Sequence, residues 1–277
     1  MKRSVSQSSK RRGLTLMELV VVMAVLAAVA GILVPLLPNL LRRAHKATDA
    51  TQTGELSKAV QTYQASYMSY PDNLDLLTTG TGGFAPFLPT DDGNVFGGFV
   101  TSGTLTTDEL KALGRVGIQY LQPLATTTGG ANFHPTMNPY PAGTTVLTNQ
   151  ISVATATSTN FAILANNATI DGFNPTFLQS VRYNDPTARF VVFGVGPRSA
   201  MVGTVVQDAP MSVPQNKNLT PDRTYSRVGL IFKVSGVEVE RSERARFVAA
   251  VALEDDELES TEKDIIGYYE VSRDPRN

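Results

Sequence analysis

Between Leu19 and Pro38 the chain carries no charged residue, and Val, Leu, Ala, Ile and Met fill nearly every position. Twenty helical residues rise about 30 Å, the thickness of a bilayer's hydrocarbon core, so this segment is long enough to cross a membrane as one helix. No other stretch of the sequence approaches it, which predicts a single span. Ahead of it, residues 1–13 hold Lys2, Arg3, Lys10, Arg11 and Arg12 and no acid. A basic flank on that side predicts a cytoplasmic N-terminus with the bulk of the chain outside. Arg42, Arg43 and Lys46, just past the span, moderate the bias. One acid, Glu18, lies near the start of the apolar run. An ionised group in hydrocarbon is costly, so its position calls for a partner.

The totals exclude more than they assign. Of the 24 Lys and Arg, five precede Leu14, so the remainder has 19 against 25 acids, a net charge of about −6. That balance gives no reason to expect nucleic-acid binding. There is no cysteine, which removes disulfides, thiolate metal sites and cysteine nucleophiles. Two histidines, His45 and His134, are too few for most zinc sites.

The basic leader, Gly13 and the run LTLMELVVVMAVLAAVAGILVP together resemble the class III signal of type IV pilins and type II secretion pseudopilins. The resemblance implies that a prepilin peptidase cuts after Gly13 on the cytoplasmic side and methylates the new N-terminus, Leu14. It places an acid at the fifth mature position, where Glu18 falls, and a proline at the twenty-second, where Pro35 falls. Two features depart from the pattern: the first mature residue is Leu rather than Phe, and a 13-residue leader is long. In a dry filament core the Leu14 amine needs a counter-charge, which Glu18 of a neighbouring subunit supplies. Leaving one such charge unpaired costs about 3–5 kcal/mol.

Two other readings stay open at this point. A secretory signal cut near Ala28–Ala30 would have a shorter apolar core. An uncleaved signal anchor would carry an extracytoplasmic binding protein or enzyme as its head. Neither accounts for Glu18.

Beyond the span the pattern becomes one-sided. Leu41, Ala44, Thr48, Leu56, Ala59, Val60, Tyr63 and Tyr67 recur mostly three or four apart, the mark of a helix with one covered face. Pro35 and Pro38 should kink or loosen that helix, and Pro71 should end it near Ser69. The close in SYPDNLDLL is similar to the helix end of a major pseudopilin. Residues 78–104 read as loop. TTDELKAL reads as a short helix with Thr106 and Glu109 as a capping box and Gly114 as its stop. Strand character falls on VGIQYLQPL, VLTNQISVAT, ARFVVFGV, AMVGTVV, YSRVGLIFKV and RARFVAAVAL, while LESTEKDIIGYYEVSR reads as a surface helix.

The expected fold is therefore α+β, a long N-terminal helix packed on a mainly antiparallel sheet, as in pilins. Its parts are a leader (1–13), a membrane or filament-core helix (14–41), an amphipathic continuation (42–69) and an extracytoplasmic head (70–277).

Catalytic chemistry finds no purchase. FGVGPRS lacks the third glycine and the following helix of a dinucleotide site. His134 sits in a loop with no acid at a recognisable spacing, and His45 at the juxtamembrane boundary reads as a headgroup contact. The resemblance raises calcium, since major pseudopilins bind it in a head loop. The candidates are Asp91, Asp92 and Asn94, and Asp255, Asp256 and Glu257, neither set with EF-hand spacing. No other cofactor is expected. The expectation is a non-enzymatic filament subunit, pseudopilus rather than pilus. Its partners would be the prepilin peptidase, copies of itself and other pilin-like subunits, an inner-membrane assembly platform and lipid. Its place would be the bacterial inner membrane, single-pass, before assembly.

Overall fold

A computed structural model describes residues 16–91, 93–129, 132–165, 187–212, 220–253 and 258–260. Helix α1 runs from Leu16 to Tyr67 without interruption. Pro35 and Pro38 do not end it, because each proline removes one of many hydrogen bonds in a helix of 52 residues. It stops where Met68 takes a left-handed backbone (φ 56°), its N–H donating to Gln64 O at 2.9 Å.

The head is one curled, mostly antiparallel sheet. Its strands are β1 (Leu74–Asp75), β4 (Val100–Thr104), β5 (Tyr120–Gln122), β6 (Ile151–Ser152), β7 (Asn160–Leu164), β8 (Phe190–Gly194), β9 (Val228–Lys233), β10 (Arg246–Leu253) and β11 (Leu258–Ser260). A separate two-residue hairpin joins β2 (Thr90–Asp91) to β3 (Asn94–Val95). Short helices α2 (Thr107–Gly114), α3 (Val146–Asn149) and α4 (Val237–Ser242) fill the connections.

Strands β11, β10, β9 and β8 lie side by side, and beyond β8 the sheet divides. Val191 and Val192 of β8 pair with β7, which pairs in turn with β4. Gly194, at the end of β8, pairs with Asp75 of β1, and β1 continues in parallel into β5 and then antiparallel to β6. Strand pairing thus joins the smaller wing, β1–β5–β6, to the main sheet at a single residue pair, while Leu74 and Leu121 pack into the core shared with Phe193 and Phe232.

Strands β8 and β9 are buried along their whole length, so both faces are covered. Alternation decides which side chain goes where. Val191, Phe193, Leu230 and Phe232 join Leu56, Val60 and Tyr63 of α1 and Leu110 and Leu113 of α2 in one core. Phe190, Val192 and Ile231 point the other way, into Leu77, Phe87, Phe96, Tyr140 and Tyr225.

Several expectations need correction. AMVGTVV is a knot of turns rather than a strand. Met201 is fully buried and its carbonyl accepts the N–H groups of both Val205 and Val206, so the segment closes on itself. VLTNQISVAT splits into a helical turn capped by Thr145, a two-residue strand and a 3-10 turn, because the Thr145 hydroxyl takes the Thr148 N–H. The region 78–104 is not all loop, since Val100–Thr104 pairs with β7 along five residues. Strand β7, NFAIL, is absent from the expected strands. Leu258–Ser260 is a strand against β10, not the start of a helix; residues 261–277 lie outside the described set. The covered stripe of α1 is shorter than expected. Among the described side chains of α1 burial begins at Thr53, whereas Ala44, Thr48 and Tyr67 are exposed.

Candidate assembly surface

From Leu16 to Val34 the side chains of α1 are exposed all round. These 19 residues form the one helix among the described residues that is long and apolar enough to cross a membrane. Helix propensity alone does not require the arrangement, since Val and Ile are indifferent helix formers. An apolar cylinder of this kind needs lipid or other helices around it. Glu18 stands in its first turn and is the one charged residue between Leu16 and Val34. Gly13 and Leu14 lie outside the described residues, and of Pro35 the structure describes the backbone alone, in helix.

The far half of α1 is locked into the head. Leu56, Val60 and Tyr63 are buried against the sheet, and α1 packs along β10. Just past the helix, Tyr70 sets its ring edge-on to Phe232 at 5.2 Å, and its hydroxyl accepts the Phe247 N–H at 3.3 Å. The Tyr70 N–H donates to Val116 O at 2.7 Å. Asp72 Oδ1 accepts two backbone N–H groups, from Gln119 at 2.9 Å and Tyr120 at 2.7 Å. Burial raises the Asp72 carboxyl above its ordinary range, and those N–H bonds work against the rise. Gly117 has φ +95°, and a Cβ there would lie 2.3 Å from Ser69 Cβ, so the chain after α2 lies directly on the helix exit. The end of α1 is therefore tied to β5, β9 and β10 through packed side chains and hydrogen bonds within a few residues.

Of the proposed calcium ligands, Asp91 is exposed on β2 opposite Asn94, at the hairpin tip. Asp92, Asp255, Asp256 and Glu257 lie outside the described residues. Among the described residues no group of three or more His, Cys, Asp or Glu is placed to hold a metal ion. His134 braces its own loop: Nδ1 accepts the N–H of Thr136 at 3.2 Å and of Met137 at 3.1 Å.

Sequence reasoning missed the polar interior of the head. Asp75, Tyr140, Tyr225, Arg198 and Arg227 converge beside the wing junction, and Arg189 reaches Glu109 across the sheet edge. Asp75 did leave a signal, as the one charge inside the apolar run Leu74–Leu77.

The family model described as the prokaryotic N-terminal methylation motif matches residues 8–34, covering Gly13, Leu14, Glu18 and the exposed apolar helix. The match supports a pilin-type chain processed at its N-terminus and anchored in a membrane by α1. No curated protein and no solved structure matches the chain.

Proposed function

We propose that this chain is a structural subunit of a type II secretion pseudopilus or a type IV pilus-like filament. A prepilin peptidase cuts after Gly13 and methylates Leu14, and the subunit waits in the bacterial inner membrane with its head outside. An assembly platform then draws it into a filament whose core is made of the apolar helices of its own copies and other pilin-like subunits. Glu18 faces the Leu14 amine of a neighbour and sets the register between subunits. The head catalyses nothing and needs no cofactor; calcium at the Asp91–Asn94 hairpin would be an accessory stabiliser. Pseudopilus is favoured over pilus by the helix end and by the lack of the cysteine pair that closes a loop in many pilins.

One observation carries this reading: from Leu16 on, the methylation motif lies on an exposed apolar helix that continues, unbroken, into the core of the head. A subunit that moves a load outside the membrane from a drive inside it needs that continuity. The test is the mass of the N-terminal peptide from membranes of the native host. A peptide that begins at Leu14 with one added methyl group is the expected result. A peptide beginning at Met1 or Lys2 would overturn it and leave a plain membrane anchor with a binding or catalytic head.

A further inference from the structure

Asp75 stands where strand pairing joins the wing to the main sheet, and the surroundings of its carboxylate are unusual. The residue is fully buried in β1, paired with Gly194 of the main sheet on one side and Gln122 of the wing on the other. Oδ1 accepts the Tyr140 hydroxyl at 2.7 Å, from the connection leading into α3. Oδ2 accepts the Tyr225 hydroxyl at 2.6 Å, from the connection leading into β9. Gly196 seals the site, since a Cβ there would lie 2.0 Å from Oδ2.

Two cations face this carboxylate, but both are occupied elsewhere. Arg198, after β8, lies over the Tyr140 ring at 3.8 Å and donates to Thr144 O at 2.6 Å, Thr145 O at 3.1 Å and Gln122 Oε1 at 3.2 Å. Arg227 donates from Nε and Nη2 to Thr136 O at 2.9 and 2.7 Å, and from Nη1 to Ala209 O. The hydrogen bonds to Asp75 therefore come from two neutral phenols. Such a site tolerates a protonated carboxyl far better than an ion-paired one would, because no buried cation loses its partner when the charge goes.

We propose that Asp75, buried between the Tyr140 and Tyr225 hydroxyls where the β1–β5–β6 wing meets the main sheet, is a proton-coupled switch through which the folded head gains stability as the medium acidifies. Desolvation is the largest influence on the carboxyl. It outweighs the tyrosine hydrogen bonds and the fields of Arg227 and Arg198, pushing Asp75 up to about 6. Because the folded value lies above the unfolded one, the contribution to stability is full below about pH 4 and is lost as pH rises through about 6. Both phenols are pushed well above their ordinary value by burial and by the Asp75 charge, so they stay neutral donors across this range.

The test is denaturant unfolding of the full chain in detergent micelles between pH 4 and 8, for the wild type and Asp75→Asn. The ratio of folding constants, variant over wild type, should rise about tenfold per pH unit from about 4 to 6, then level off about 100-fold higher. A ratio that stays constant with pH overturns the proposal. Carbon NMR of the wild type labelled at aspartyl carboxyls keeps the question answerable if Asp75→Asn does not fold. One carboxyl should titrate near pH 6 in the wild type and at higher pH in Tyr225→Phe, which removes one stabilising donor. Titration of every aspartate below pH 5, or no upward movement in Tyr225→Phe, overturns it.

Discussion

Arg189 grips Glu109 with both carboxylate oxygens on one guanidinium nitrogen, Nη1 to Oε1 at 2.8 Å and to Oε2 at 2.7 Å. Glu109 Oε2 also accepts the Thr106 N–H at 2.8 Å, closing the capping box at the start of α2. One buried carboxylate thus caps a helix and ties that helix to the residue just before β8. Glu109→Ala should cost about 2–4 kcal/mol, through the lost cap and a guanidinium that keeps only the Thr104 carbonyl. Lys111→Ala should cost under about 0.5 kcal/mol, since its bond to Asp108 is exposed. Urea unfolding of the full chain in detergent separates the two.

The far half of α1 makes a sharper distinction. Leu56 and Val60 are buried in the core shared with Phe193 and Phe232, whereas Glu55 and Gln61 on the same turns face solvent. Leu56→Ala should cost about 2–4 kcal/mol and Val60→Ala about 1–3 kcal/mol, with Glu55→Ala near neutral. Equal effects at all three positions would mean that the helix does not pack on the sheet in this register.

Two glycines predict opposite signs. A Cβ at Gly196 would meet Asp75 Oδ2, Cγ and Oδ1 at 2.0, 2.5 and 2.5 Å, with no flexible end to yield. Gly196→Ala should therefore destabilise by about 2 kcal/mol or more. Nothing lies within 4 Å of a Cβ at Gly114, the last residue of α2, and its φ is one that alanine adopts freely. Gly114→Ala should stabilise by about 0.4–1 kcal/mol. Thermal melts of both variants beside wild type read the signs directly.

At the other end of α1, Glu18→Ala should leave cleavage after Gly13 and methylation intact while filament yield falls at least tenfold. Gly13→Glu should block cleavage itself. The peptide mass and the amount of sheared filament measure the two steps separately. Normal filament yield from Glu18→Ala would show that the charge does not set subunit register.

The span, the basic leader and the offset of Glu18 from Gly13 were legible without a structure, because each depends on residue type at short spacing. The capping box at Thr106 and Glu109 was legible for the same reason. Strands β8, β9 and β10 could be read from their β-branched and aromatic runs. Strand β7 could not, because NFAIL follows a Thr- and Asn-rich stretch and owes its strand to β4 and β8 on either side. AMVGTVV has strand composition, yet it closes on itself around the Met201 carbonyl with the Met201 side chain fully buried.

An apolar helix with one acid near its start, a one-sided continuation and an α+β head follow from residue order alone, since hydrophobic period and local caps act over a few residues. Long-range closure of the chain is what starts burial at Thr53 among the described side chains of α1, and what joins β1 to β8 through one residue pair. It alone brought Asp75 to two phenols from distant connections and left Arg198 and Arg227 holding backbone carbonyls. Those outcomes depend on which distant surfaces close on one another, and desolvation acts on a charge only once they have closed.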